Sequence, residues 1–275
     1  MSAFKRNIKS FVLAVTPGKL LIQLKKMHYL RELQRFSEDD LQVVKMLVKR
    51  DEHVIDVGAN VGWYTNMLSQ FVGPRGRVYS IEPMPPTFSI LASCVKKLQL
   101  MNVELINCAA SDQDGEVLME TPTLPSGGEN YYRARIIASD SAANSLHRAY
   151  VKRKSIDSLA SGSLKISFVK CDVEGHEWAV VQGAKRMIGQ SKPAWLIEIS
   201  GNPDASTSDA AALLDYFGGE GYGVFWYDGQ TLRPRNRGDR SINYFLLTAD
   251  HLETLKRSGL QIAKNQSFEE SARAS

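Results

Sequence analysis

A turn with two glycines, placed between an apolar run and a helical pattern, is the stretch of this chain best suited to hold a ligand. Residues 54–57 form a short β-branched run that predicts a buried strand, and Gly58 and Gly62 bracket the turn that follows. Glycine adopts left-handed backbone conformations without strain and lets a ligand approach the main chain closely. Backbone N–H groups at the start of the next helix point toward the same place, so the stretch predicts a ligand-binding turn.

The spacing within this turn distinguishes two classes of ligand. Dinucleotide sites use Gly-x-Gly-x-x-Gly and place a pyrophosphate at the helix N-terminus. Here the turn is Gly58-Ala-Asn-Val-Gly62, which breaks that spacing, and Asp56 precedes it. A carboxylate at this position would repel a pyrophosphate but attract the cationic amino group of S-adenosylmethionine. The pattern therefore favours S-adenosylmethionine, although a tight turn without any ligand needs the same residues.

Acids at the ends of predicted strands form a second pattern. Residues 77–82 predict the next strand, and Glu82 ends it at the distance where a carboxylate can accept hydrogen bonds from the ribose hydroxyls of an adenosine. Three further acids, Asp56, Asp172 and Glu198, lie at or near the ends of other predicted strands. Because parallel strands end at the same edge of a sheet, we expect the four carboxylates to gather on one rim.

The turn Asp172-Val-Glu174-Gly-His176-Glu follows a predicted core strand and contains the candidate catalytic residues Asp172, Glu174 and His176. An alcohol that attacks a methyl group must lose its proton, and a positioned base accelerates that step by about 10²–10⁴-fold. Glu174 and His176 are both candidates for the base. The ordinary pKa of histidine lies closer to neutrality, whereas a glutamate needs burial to reach it.

Other roles for these residues remain open on the sequence alone. Asp172, Glu174 and Glu198, together with His176, could hold a divalent metal that acidifies the substrate hydroxyl, although we favour a site without metal. Alternatively, Asp172 caps the following helix, Glu174 binds backbone N–H groups of the turn and His176 is solvated. Lys170, on the preceding strand, must either reach the rim or pair with an acid.

Predicted strands and helices alternate along most of the 275 residues, which indicates a doubly wound α/β fold with a mainly parallel sheet. We expect residues 37–263 to form this domain, with an antiparallel last strand. A long polar segment around residues 113–155 predicts an inserted loop and hairpin, in which residues 116–120 pair with residues 150–154. Residues 264–275 are predicted to be a disordered tail.

The charge of the chain is unevenly distributed. The net charge is +4, but residues 1–35 contain eight Lys and Arg against one Glu, which gives +7 there and about −3 in the remainder. We expect residues 1–36 to be a basic helical extension that either packs on the domain or lies on an anionic membrane surface. The three cysteines lie in apolar surroundings and predict reduced thiols in a cytoplasmic protein. No apolar run reaches the roughly 18 residues needed to span a bilayer.

Several of these motifs together resemble a known family. They are the run from Val54 to Gly62, Glu82-Pro83, Asn107-Cys-Ala109 with Ser111-Asp112 and Gly115, Ser155-Ile-Asp-Ser-Leu159, and Lys170-Cys-Asp172-Val-Glu174-Gly-His-Glu177. The set resembles the FkbM family of S-adenosylmethionine-dependent methyltransferases over residues 38–200. The resemblance implies a class I methyltransferase fold, which is Rossmann-like, and usually O-methylation of a sugar or another hydroxylated natural product.

The resemblance also implies roles for individual residues. It implies that the methionine end of the cofactor is bound by Asp56, Gly58, Ala59, Asn60 and Gly62. It also implies that Glu82 binds the ribose and that the adenine is bordered by Asn107, Ala109 and Asp112. The block that begins at Asp172 faces the transferred methyl group. In this block His176 stands where the family often has an aromatic or apolar side chain.

We therefore predict an O-methyltransferase that uses S-adenosylmethionine and acts on a hydroxyl of a sugar, glycan or glycosylated natural product. The alternative is a catalytically degenerate protein of the same fold that serves as a scaffold in glycan assembly. The glycine spacing disfavours a dinucleotide-dependent oxidoreductase. Because the sequence has no basic stripe with interleaved aromatic residues, we expect no nucleic-acid partner.

Overall fold

The computed structural model describes the backbone of residues 18–121, 134–136, 148–159, 165–239 and 241–263, with side chains from residue 23 onward. The predicted tail at residues 264–275 and the start of the basic extension, residues 1–17, lie outside the described residues. The described parts form one large sheet with helices on both faces and a second, smaller sheet.

The elements are numbered along the described chain. The helices are α1 (Gly18–Leu33), α2 (Asp40–Leu47), α3 (Trp63–Val72), α4 (Pro85–Lys97), α5 (Ile156–Leu159), α6 (Glu177–Gln182), α7 (Lys185–Ser191), α8 (Asp209–Gly219) and α9 (Ala249–Arg257). The strands are β1 (His53–Val57), β2 (Arg77–Ile81), β3 (Val103–Ile106), β4 (Ala109–Ala110), β5 (Gly115–Glu120), β6 (Arg135–Ile136), β7 (Arg148–Lys154), β8 (Ile166–Cys171), β9 (Ala194–Glu198), β10 (Gly223–Tyr227), β11 (Thr231–Pro234), β12 (Asn243–Leu247) and β13 (Gln261–Ile262).

The large sheet has the order β13-β11-β10-β12-β9-β8-β1-β2-β3. Strands β3, β2, β1, β8 and β9 run parallel, and β12 is inserted antiparallel between β9 and β10. This confirms the predicted α/β class with a mainly parallel sheet. The predicted antiparallel strand is β12, and the short strand β13 that follows it in the chain pairs parallel with β11 and so runs in the same direction as β12. Strand β13 has only two residues, too few to show a period in the sequence.

Alternation along the strands builds the two apolar layers of the core. In β1, Ile55 and Val57 belong to the layer that contains the α6 and α8 side chains, whereas Val54 belongs to the layer with α2 and α3. Because successive side chains of a strand point to opposite faces, Asp56 lies on the same face as Val54. That placement puts the carboxylate of Asp56 beneath α3, where it accepts a hydrogen bond from Thr65.

The inserted segment forms its own sheet in the order β4-β7-β5-β6. Strands β5 and β7 are antiparallel, with Glu116 opposite Lys152 and Leu118 opposite Tyr150, which confirms the predicted pairing. Strand β4 belongs to the loop that follows β3 and pairs with the end of β7. The small sheet is therefore joined directly to the edge of the large sheet where a ligand would bind.

The described part of the N-terminal extension packs on the domain. Leu33 of α1 is buried against Val61, Ile90 and Cys94, and the ring of Tyr29 meets the edge of Trp63 with centroids 6.3 Å apart. Among the helices that the structure describes, none combines the length and apolar character needed to cross a membrane.

The order of the parallel strands reverses beside β1. From β1 the chain continues outward through β2 and β3, whereas β8 and β9 lie on the other side of β1. Ligands of doubly wound sheets bind at such a reversal, outside the carboxyl ends of the strands. Gly58 follows β1 and Asp172 follows β8, so both predicted motifs lie at this point.

Candidate functional site

A cleft of about 660 Å³, its open mouth included, lies at the reversal point of the sheet. Its walls are formed by the ends of β1, β2 and β8 in the large sheet and by β4, β5 and β6 in the small sheet. The lining residues are Val57, Gly58, Asn60, Ile81, Glu82, Pro83, Met84, Ala109, Ala110, Met119, Ala134, Ile136, Asp172, Val173, Glu174 and His176.

The glycine turn is held tightly between β2 and β8. Gly58 has φ +77°, and both its N–H and that of Ala59 donate to the carbonyl of Ile81, at 3.0 and 2.9 Å. A Cβ added to Gly58 would lie 1.8 Å from the carbonyl oxygen of Asp172. Glycine is required here by the backbone itself, because the turn after β1 packs directly on the turn after β8. Gly62 begins α3 with φ +104°.

Glu82 connects the glycine turn to the end of β2. One carboxylate oxygen accepts from the N–H of Asn60 at 3.0 Å, and the other accepts from the N–H of Met84 at 2.9 Å. The side chain is buried, yet each oxygen keeps a second lone pair. This geometry fixes the carboxylate where two hydroxyls of a ribose can donate to it.

Burial raises the pKa of Glu82 from 4.5 to about 7, against the lowering effect of the hydrogen bonds from Met84 and Asn60. Since the pKa in the folded protein exceeds that of the unfolded chain, Glu82 favours folding below pH 4.5 and loses this contribution as the pH rises through 7. We expect the free energy of unfolding of the ligand-free protein to fall by about 3 kcal/mol more than that of Glu82→Gln between pH 4.5 and 8. Urea unfolding at several pH values measures this difference, and parallel profiles for the two proteins would contradict it.

Asp56 lies beneath the turn rather than along the cleft. Its carboxylate is 2% exposed and accepts from the Thr65 hydroxyl at 2.6 Å, and that hydroxyl is also 2.9 Å from the hydroxyl of Ser80. Burial raises the pKa of Asp56 to about 6, although the hydrogen bond from Thr65 and the charge of Lys170 lower it. Asp56 thus anchors the start of α3 to β1, and it is not among the residues that line the cleft.

The three residues predicted to border an adenine are separated by the structure. Ala109 lines the cleft, together with Ala110. Asn107 holds the end of β2, because its side-chain N–H₂ donates to the carbonyls of Glu82 and Pro83 at 2.8 and 3.0 Å. Asp112 lies outside the cleft lining, 2.9 Å from the hydroxyl of Ser111 and 3.4 Å from the guanidinium of Arg153.

The turn after β8 presents three of the predicted side chains to the cleft. Asp172, Glu174 and His176 all line it. Glu174 and Gly175 have φ +52° and +97°, so the chain reverses sharply before α6. The carboxylate of Glu177 accepts from the N–H of Gly175 at 2.8 Å and holds this turn in place. The structure therefore brings the predicted catalytic residues together on one wall.

His176 has a defined partner on the opposite loop. Its Nε2 lies 3.0 Å from the hydroxyl of Ser111, which belongs to the loop after β4. Burial lowers the pKa of the imidazole below its usual value, while the nearby Asp112 raises it and Arg153 lowers it further. A neutral imidazole near pH 7 is the form that can accept a proton.

The sequence left open whether Lys170 reaches the rim of the sheet or pairs with an acid, and the structure shows that it pairs with Asp172. Its ammonium is buried, lies 3.9 Å from the carboxylate of Asp172, and stands 5.2 Å from the centre of the Tyr64 ring. The register of β1 and β8 also places it beside Asp56. A buried cation between these two acids compensates their negative charge.

The alternative of a metal site gains no support from the arrangement of the acids. Asp172, Glu174 and Glu198 do not form a ligand group, and no set of three His, Cys, Asp or Glu side chains in the described ranges does so. Glu198 lies outside the cleft lining, and burial raises the pKa of its carboxyl.

Some lining residues could not be recognised in the sequence. Met84, Met119 and Ile136 form an apolar wall between the large and small sheets, but isolated apolar residues carry no signal of their own. Ser111 could be noticed only as part of a family motif. Its hydrogen bond to His176 joins residues 65 positions apart, and only the fold shows it.

The residues of the cleft fit S-adenosylmethionine. The side-chain oxygen of Asn60 is buried and has no hydrogen-bond partner among the described residues, so a donor group of a ligand could reach it. Glu82 offers acceptors for ribose hydroxyls, and the acids that line the cleft suit the cationic amino and sulfonium groups. Together with the strand order and the inserted antiparallel strand, these features define a class I methyltransferase.

The chain belongs to the FkbM methyltransferase family, since the family model for the methyltransferase FkbM domain matches residues 56–224. This confirms the resemblance identified from the motifs, with S-adenosylmethionine as the cofactor. No curated protein sequence matches the chain.

Three solved structures with similar folds are distant in sequence from this chain. An FkbM methyltransferase from Methylobacillus flagellatus KT is 18% identical, with a TM-score of 0.46; the match covers 72% of this chain but only 44% of that one. A putative rRNA methylase from Clostridium thermocellum is 12% identical over 75% of this chain and 90% of that one, with a TM-score of 0.47. Fibrillarin from Aeropyrum pernix, with natively bound S-adenosylmethionine, is 16% identical over 73% and 68%, with a TM-score of 0.43.

At pH 8, above the pKa of about 7, the Glu82 carboxylate is mostly ionised. We expect Glu82→Gln to weaken the binding of S-adenosylhomocysteine at this pH by about tenfold to a hundredfold, because hydrogen bonds to a charged acceptor are lost. The amide also turns a donor toward the N–H of Asn60 or Met84, both of which need an acceptor. Isothermal titration calorimetry measures the dissociation constant. Glu104→Gln, at an exposed acid on the neighbouring strand β3, is the matched control and should bind like the wild type. Equal affinities for all three proteins would rule out a ribose contact by Glu82.

Proposed function

We propose that this protein transfers the methyl group of S-adenosylmethionine to a hydroxyl oxygen of a sugar, a glycan or a glycosylated natural product. The observation that carries the proposal is that Glu82, a buried carboxylate held by two backbone N–H groups, and His176, an imidazole with a lowered pKa, line the same cleft. Nitrogen acceptors that are already deprotonated do not need such a base, whereas an alcohol does.

The cofactor supplies an activated methyl group on a sulfonium centre when it is bound. The remaining work belongs to the chain. In our proposal Gly58, Ala59, Asn60 and Gly62 form the turn that receives the methionine end, and Glu82 orients the ribose. Ala109 borders the adenine. These contacts position the methyl donor. Holding two reactants in the correct geometry itself lowers the barrier of the reaction, because the entropy cost of bringing them together is met on binding.

We assign the proton transfer to His176. The imidazole lies on the wall formed by the turn after β8 and is neutral near pH 7, because burial lowers its pKa. Glu174 and Asp172 line the same wall. Their carboxylates can accept hydrogen bonds from neighbouring hydroxyls of the acceptor, which supports a substrate with several hydroxyl groups. We assign them to positioning of the acceptor.

The partners and location follow from the same proposal. The acceptor is a small molecule or a glycan rather than a nucleic acid. The three cysteines are buried free thiols, which supports a cytoplasmic location. Contact of the basic N-terminal extension with an anionic membrane remains a prediction, because its first 17 residues lie outside the described part of the chain.

The test is transfer of a tritiated methyl group from S-adenosylmethionine to fractionated extracts of cell envelope and of secreted natural products. We expect incorporation into a carbohydrate fraction and stability of the label to mild alkali, since methyl ethers resist alkali and methyl esters release methanol. Acid hydrolysis should then yield a radioactive O-methyl sugar. Label that is released by alkali, or found only in protein or nucleic acid, would overturn the proposal.

A further inference from the structure

The hydroxyl of Ser111 lies between two groups that compete for its single proton. Ser111 is fully buried, and its oxygen is 2.9 Å from a carboxylate oxygen of Asp112 and 3.0 Å from Nε2 of His176. A carboxylate can only accept a hydrogen bond, so the serine hydroxyl donates its hydrogen bond to Asp112. The serine oxygen must then accept from Nε2, which requires the proton of the neutral imidazole to be on Nε2. Nδ1 is left with its lone pair.

The backbone around Ser111 is fixed on both sides. Its N–H donates to the carbonyl of Lys154 at 2.9 Å, which joins the loop to the end of β7. A Cβ added to Gly183 would lie 1.9 Å from the carbonyl oxygen of Ser111, so the loop packs directly on the segment that follows α6. The serine oxygen is thus held at a fixed position relative to the helix that begins beside His176.

Asp112 is in turn held by the small sheet. A guanidinium nitrogen of Arg153, in β7, lies 3.4 Å from the carboxylate oxygen that accepts the hydrogen bond of the serine hydroxyl. The family resemblance assigned Asp112 to the border of an adenine, and in the structure its carboxylate contacts Ser111 and Arg153. The carboxylate is thereby linked to the imidazole through the serine hydroxyl.

We propose that Ser111 and Asp112 are positioning residues that hold His176 as the Nε2–H tautomer and leave Nδ1 as the atom that accepts the substrate proton. The hydrogen bond between the His176 ring and Ser111 uses Nε2 and not Nδ1. The inference rests on the proposed function, since it assigns an atom and an orienting pair to the base named there. It also gives the small sheet a part in the chemistry, because Arg153 belongs to it.

The titration of His176 depends on the groups around it. Asp112 raises its pKa, Arg153 lowers it, and Asp209 of α8 raises it. The serine oxygen accepts from Nε2–H more strongly when the imidazole is protonated. Removal of the hydroxyl therefore destabilises the imidazolium and lowers the pKa of His176 further. We expect Ser111→Ala to lower the proton affinity of His176 about tenfold.

The experiment is ¹⁵N NMR of the full chain labelled at its five histidines, with His176→Ala to assign the signal. In the wild type at pH 7.5 we expect the Nε2–H tautomer. In Asp112→Ala the serine proton is released toward Nε2, so the Nδ1–H tautomer should increase. In Ser111→Ala the titration should move to lower pH. Asp112 is exposed, so its replacement tests the inference even if Ser111→Ala fails to fold.

Ser158→Ala is the matched control. Its hydroxyl donates to the carboxylate of Asp114 at 2.8 Å, which is a serine–aspartate bond of the same kind close by. This variant should leave the tautomer and the titration of His176 unchanged. An Nδ1–H tautomer in the wild type, or an unchanged tautomer in Asp112→Ala, would overturn the inference. The proposed function fails separately, if no tritiated methyl group enters a carbohydrate.

Discussion

Gly58→Ala should destabilise the protein by about 3 kcal/mol or more and abolish measurable binding of S-adenosylhomocysteine. Two costs add. The residue has φ +77°, a conformation that strains any residue with a Cβ, and the new methyl group would lie 1.8 Å from the carbonyl oxygen of Asp172. That oxygen belongs to the backbone and cannot rotate away. Relief requires β1 and β8 to separate at the point where the cleft forms.

Gly259→Ala separates the two costs. Gly259 has φ +86°, but nothing lies within 4 Å of the position of its added Cβ. This variant should lose only about 1–2 kcal/mol, the cost of the backbone conformation. Urea unfolding gives both free energies, and calorimetry gives the affinity for S-adenosylhomocysteine. Similar losses in the two variants would show that the contact between the two turns is unimportant.

His176→Ala should lower the maximal rate of methyl transfer by about 10²–10⁴-fold, the usual contribution of a general base. The affinity for S-adenosylhomocysteine should stay close to that of the wild type, because the residues placed for the cofactor are Glu82 and the glycine turn. The measurement is initial rates at saturating cofactor with the acceptor fraction identified by tritium transfer. Calorimetry on the same samples checks the affinity.

Glu174→Gln is the matched variant for this prediction. Glu174 lines the same wall as His176 two residues earlier, and the substitution keeps its size while it removes the charge. Its effect should be several-fold smaller and should include a higher KM, since we assign it to positioning of the acceptor. A His176→Ala protein that retains the wild-type rate, or a greater loss in Glu174→Gln, would transfer the role of base away from the imidazole.

Much of the fold could be predicted because the parallel strands are short, mostly apolar segments separated by helical patterns. β1, β8 and β9 are buried on both faces, and each predicted run corresponds to an observed strand. The short strands β4, β6 and β13 have two residues each, and their pairing depends on the neighbours that the fold brings to them. No local pattern could have predicted them.

The candidate site was predictable where side-chain type and position on a strand were sufficient. Glu82, Asp172 and His176 follow the ends of β2 and β8, and all three line the cleft. Asp56 does not, and its alternation with Ile55 and Val57 explains why: it faces the layer beneath α3. Asp112 lies in a loop, where the direction of a side chain depends on distant partners such as Arg153. Its contact with the serine could be found only in three dimensions.

The insertion of β12 between β9 and β10 has a consequence for synthesis of the chain. During translation, residues 194–198 and 223–227 emerge well before residues 243–247, which join them in the finished sheet. Until that strand arrives, two apolar strands have unpaired edges of the kind that promote aggregation. The sheet therefore cannot close between β9 and β10 until residues 243–247 have been synthesised.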